Sequence, residues 1–94
     1  MALEFEWDPA KAAANLVKHQ VSFGEASTVF HDPVSVTVSD LRHSRNEERF
    51  AILGRSVHGQ LLAVYHTEVD RRVRIISARL ATRLERAIYE EESA

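Results

Sequence analysis

Three stretches, 50–57, 60–67 and 72–78, follow one another with only a few residues between them. All three are dense in Val, Ile, Leu, Phe and Tyr, the residues that suit a pleated sheet. His58-Gly59 reads as a two-residue hairpin turn between the first pair, and a turn around Val69-Asp70 separates the second. The three runs therefore read as an antiparallel meander. Apolar residues occupy both parities, as in Leu61-Leu62-Ala63-Val64-Tyr65, so this sheet is expected to be covered on both faces or central in a curved sheet.

The flanking sequence supplies the cover. Leu3 to Trp7 alternates apolar and acidic residues, as a short strand does. Asp8-Pro9 then opens a helix, with Asp8 as cap and proline at the first position, ending near His19. Ala12, Ala13, Leu16 and Val17 are its expected core stripe. Ser22 and Glu25 have capping-box spacing for a second helix through Phe30, which Asp32-Pro33 stops. Val34 to Val38 alternates as a strand with one wet face, and 39–47 reads as a polar loop. A last helix opens at the cap Thr82, with Glu85 three residues on and Leu84, Ala87 and Ile88 as its core stripe. Trp7 and Phe23 read as core. The order is β-α-α-β-β-β-β-α, a single α+β domain on an antiparallel sheet, and 94 residues suffice for one such core.

Net charge is −2, but its distribution is uneven. Residues 1–40 carry six acids against two lysines, whereas residues 71–86 carry six arginines against Glu85 alone. Arginine suits bidentate contact with phosphate, so this stripe, with Arg72 and Arg83, marks a nucleic-acid surface or a solvated charged one. No cysteine is present, which removes disulfides, thiol nucleophiles and thiolate metal sites and fits a reducing cytoplasm. The acidic first residues are unlike a signal peptide. Five scattered histidines lack metal-ligand spacing, so neither a metal nor another cofactor is expected.

RNA cleavage can proceed with these parts, because the substrate's own 2′-hydroxyl is the nucleophile. The protein must orient the backbone, move protons and meet charge growing on the phosphate. With a two-residue turn at His58-Gly59, Arg49 faces Glu68 and Ala51 faces His66, so Arg49, His66 and Glu68 share one face. A two-residue turn at Val69-Asp70 adds Arg79 to that face and sends Arg72 and Arg74 away; a three-residue turn brings Arg74 instead. One of Arg74 and Arg79 then stands near Arg49, and both are candidates. Arg49 with Glu68 also reads as a cross-strand ion pair, and His66 as an ordinary strand residue. Tyr89 reads as core or as a platform for a base.

Phe5-Glu6-Trp7-Asp8-Pro9-Ala10-Lys11, Asn15, Lys18-His19-Gln20-Val21-Ser22-Phe23 and Phe30-His31-Asp32-Pro33 resemble the opening of BrnT-type toxins. Glu47-Glu48-Arg49, Ile52-Leu53-Gly54, Arg74-Ile75-Ile76-Ser77-Ala78-Arg79, Ala81, Glu85-Arg86 and Tyr89 continue the resemblance in order. It implies a RelE-like toxin fold and a ribonuclease that arrests translation. It also implies neutralisation by BrnA, a ribbon-helix-helix antitoxin, with operator DNA bound only through the complex. By the same resemblance Arg49, Arg74 and Arg79 form the active surface, with Lys18 and His19 as RNA contacts. Asp8, Asn15 and Asp32 read as caps and turn formers. The competing reading is a non-catalytic module that binds nucleic acid or antitoxin in promoter autoregulation.

Overall fold

The computed structural model describes residues 3–40 and 48–93. Its elements are β1 (Phe5–Glu6), α1 (Pro9–His19), α2 (Phe23–Thr28) with a 3-10 turn Val29–His31, β2 (Val36–Ser39), β3 (Arg49–Arg55), β4 (Leu61–Val69), β5 (Arg72–Leu80) and α3 (Arg83–Ser93). This is the expected order. Most of the expected 39–47 loop, with Glu47, lies outside the described residues. No helix is long and apolar enough to cross a membrane.

The five strands form one sheet in the order β1-β5-β4-β3-β2. It is mixed, not wholly antiparallel, because β1 runs parallel to β5, with Phe5 beside Val73 and Glu6 beside Arg74. A parallel pair needs a crossover, and the whole chain between the two strands provides one.

Each sheet face carries its own apolar cluster. On the first, Ile52, Leu62, Val64, Val73, Ile75 and Ala78 pack under Val21, Phe23, Ala26 and Val29. On the second, Leu53, Leu61 and Ala63 pack against Tyr89 of α3. The apolar residues at both parities are thus explained by a sheet covered twice.

Local chemistry sets the helix ends as expected. Asp8 Oδ1 accepts from the Ala10 N–H at 2.8 Å. Thr82 and Glu85 form a reciprocal capping box, at 3.1 and 2.8 Å. The Ser22 box is one-sided: Ser22 Oγ accepts from Glu25 N–H, while the Glu25 carboxylate accepts from Ser56 Oγ at 2.6 Å.

The expected helix stripes are rotated. Val17 is 84% exposed and Leu16 half exposed, while Asn15 is buried. Asn15 Nδ2 donates to the carbonyls of Val21 and Ala78, and its Oδ1 accepts from the Ala78 N–H. Asn15 is therefore a buried clamp between α1 and β5, neither cap nor turn former, and satisfying those backbone groups outweighs burying Leu16. On α3, Leu84 is 71% exposed and Tyr89 turns inward, where Asp32 accepts its hydroxyl at 2.6 Å. Trp7 lies at the rim, more than a third exposed, edge-on to the fully buried Phe23.

Candidate functional site

The β3–β4 connection decides which side chains meet. Ser56 pairs with Gln60, and Gly59 takes φ +80°, so the loop is Val57-His58-Gly59, three residues with glycine in the left-handed position. The extra loop residue shifts the expected register by one. Arg49 faces Thr67, Phe50 faces His66 and Ala51 faces Tyr65. The β4–β5 turn is Asp70-Arg71, both at positive φ, with Val69 facing Arg72.

One further irregularity corrects the choice between Arg74 and Arg79. Tyr65 faces Ser77, but the next residue, His66, faces Ile75. Ile76 is therefore an extra residue in β5, a β-bulge that reverses the side-chain alternation on either side of it. Val73 and Ile75 stay on the first face with the core, and Ser77 and Arg79 lie on the second. Because the alternation reverses at Ile76, Arg72 and Arg74 lie on that second face too. Arg49, Thr67 and Arg74 form one row across three strands, and Ala51, Tyr65 and Ser77 form the next. Strand spacing puts the Arg49 and Arg74 backbones about 10 Å apart, the two side chains flanking Thr67.

Electrostatics distinguish these arginines. Arg74 Nη1 meets Glu6 at 2.9 Å and Arg72 Nε meets Glu4 at 3.2 Å, pairs that face water. Arg79 is half-buried, with both terminal nitrogens engaged. Its two terminal nitrogens hold both oxygens of Glu85 at 2.7 and 3.0 Å, and they also donate to the Leu80 carbonyl and the Tyr65 hydroxyl. The hydrogen bonds that Arg79 donates to Glu85 hold the guanidinium firmly protonated, and the same bonds hold the Glu85 carboxyl below its usual range. The same guanidinium lies 5.6 Å from the Tyr65 ring centroid.

His66 does not join this face. It projects from the first face, 5% exposed, between Phe30 and Phe50, with ring centroids 4.9 and 5.6 Å away. Neither ring nitrogen has a hydrogen-bond partner among the described residues, and burial lowers its pKa to about 4. The expectation that Arg49, His66 and Glu68 share a face fails with the one-residue register change.

Lys18 and His19 line a cleft of about 220 Å3 between α1 and β5, together with Lys11, Asn15, Ile76 and Ser77. Ser77 thus joins this cleft to the arginine face. Arg83 is exposed on the first turn of α3. Tyr89 is buried beneath Arg55, with its hydroxyl on Asp32, and leaves no ring face open for a base. Burial pushes Asp32 upward, but the hydrogen bonds from Tyr89 and from the Arg55 and Val34 backbones hold it below its ordinary value.

Sequence reasoning missed Tyr65, Ser77 and the second role of Glu85, which it read only as a helix cap. Tyr65 has the parity of Thr67, and a three-residue loop at Val57-His58-Gly59 would have put both on the face of Arg49. Among the described residues no group of His, Asp and Glu side chains could hold a metal ion.

The fold and this face define a small α+β domain that gathers arginines and a tyrosine on one face of its sheet. Ribonuclease toxins, BrnT, of type II toxin–antitoxin systems match residues 7–85. The chain belongs to this family. The crystal structure of the Brucella abortus ribonuclease toxin BrnT superposes with a TM-score of 0.66 at 19% identity, covering 87% of this chain and 100% of that one. No curated relative matches the sequence itself.

Proposed function

We propose that this ribonuclease toxin cuts RNA without a metal, on the sheet face that carries Arg49, Arg74 and Arg79, and so blocks translation in the cytoplasm. The observation that carries the reading is the bulge at Ile76, which puts Arg72, Arg74 and Arg79 on the face of Arg49. Arg49 and Arg74 flank the phosphate and oppose its developing charge, Arg74 exchanging Glu6 for the phosphate. Lys18, His19 and Lys11 take the neighbouring backbone along the cleft that ends at Ser77. Arg79, whose terminal donors are already engaged, orders the site from within. A ribbon-helix-helix antitoxin neutralises the toxin, and the pair binds operator DNA through the antitoxin.

The test is cleavage of an RNA oligonucleotide in EDTA by the parent and by Arg49→Ala and Arg74→Ala. Loss of one charge-stabilising donor typically costs on the order of 100- to 1000-fold, which is the expected loss for each variant. Equal cleavage by all three would keep the nuclease and reject this face. RNA that is bound and left intact by the parent would favour the non-catalytic module.

A further inference from the structure

Tyr65 occupies the middle of the arginine face, and nothing in the fold alone requires its hydroxyl. Its ring packs at the edge of the second cluster, where phenylalanine would serve as well. Tyr65 stands one row from Arg49, Thr67 and Arg74, a step of about 7 Å between backbone positions along the strand. Across the strands it is flanked by Ala51, whose side chain is a single methyl, and by Ser77.

The hydrogen bond to this hydroxyl has a direction. Arg79 Nη2 can only donate, so Tyr65 Oη accepts, at 3.0 Å. The phenol's own hydrogen is thereby turned away from the guanidinium, and it meets no acceptor among the described residues. The guanidinium cannot drift off, because Glu85 grips it with both carboxylate oxygens. Glu85 is itself fixed by the cap at Thr82. The chain Thr82, Glu85, Arg79, Tyr65 thus ends in a single oriented O–H on the sheet face that also carries Arg49 and Arg74. A fixed cation stands behind the oxygen on which negative charge would appear.

We propose that Tyr65 is the general acid of RNA cleavage, giving its proton to the departing 5′-oxygen, an assignment that rests on the ribonuclease reading above. The 2′-oxygen attacks phosphorus and its proton passes to water. The bond from phosphorus to the 5′-oxygen breaks, that oxygen keeps the electron pair, and it takes the Tyr65 proton. The products are a 2′,3′-cyclic phosphate and a 5′-hydroxyl, and the phenolate recovers a proton from water. Arg79 and Glu85 are positioning residues in this scheme.

Tyr65→Phe preserves the ring and deletes only the proton donor. Its kcat on an oligoribonucleotide is expected to fall about 100-fold or more, the usual contribution of a general acid, with KM within about twofold of the parent. The deciding substrate carries sulfur in place of the scissile 5′-oxygen, because a thiolate departs without a proton. On it the variant should approach the parent's rate. Equal losses on both substrates would assign Tyr65 a packing role and overturn the proposal, as would oxygen-substrate cleavage within about threefold of the parent. A parent that leaves the oligonucleotide intact would instead refute the ribonuclease reading together with this assignment.

Discussion

His66 makes stability depend on pH in a way that can be calculated. Its ring is held between Phe30 and Phe50 with no polar partner among the described residues, so only the neutral form is comfortable there. Burial takes the pKa to about 4 from an open-chain value of 6.5. The unfolded chain therefore binds a proton first as pH falls, and stability drops between about 6.5 and about 4. Above that window the penalty is absent; below it the full difference applies, about 3 kcal/mol at 1.36 kcal/mol per pH unit. About 2 kcal/mol of this should already be lost at pH 5. Urea unfolding of the parent and of His66→Phe, each at pH 7.5 and pH 5, measures it. The carboxylates titrate alike in both proteins, so the parent should lose about 2 kcal/mol more than the variant between the two conditions. Identical losses would refute the account of His66 as a buried neutral ring.

Two further outcomes follow from packing. Asn15→Ala removes three hydrogen bonds and strands the buried backbone of Val21 and Ala78, so urea unfolding should show a loss of about 3 kcal/mol. Gly54→Ala would place a methyl 3.1 Å from the Val29 carbonyl and 3.2 Å from its Cβ, and a thermal melt should register about 1–3 kcal/mol of destabilisation from overpacking.

The features legible in the sequence were those fixed by neighbours a few residues apart. Asp8, Thr82 with Glu85, and the order of strands and helices depend on local backbone chemistry, and each stands where its spacing put it. Facing was harder to read. His58-Gly59 looks like a complete turn, but Val57 belongs to the loop as well, and that one residue moved His66 from the arginine face into an aromatic box. Ile75 and Ile76 are equally apolar, so no pattern marks which of them is extra. On α1, Leu16 and Val17 are more apolar than Asn15, yet Asn15 is the residue buried, because the nearby loop at Val21 and the distant strand β5 at Ala78 present backbone groups that an amide can satisfy together. Arg49, Arg74 and Arg79 were named from sequence, but their convergence depends on a bulge that only the paired strands define.

That bulge uncouples chain length from facing. Removing one residue at position 76 would leave every other side chain of β5 on the side it now occupies, because the strand would merely become regular. The same loss in a strand without such a slack point would turn one half over, sending arginines into the core and valines into water. β5 therefore holds, at Ile76, a position where one residue can be lost while both the interior and the cationic face keep their sides.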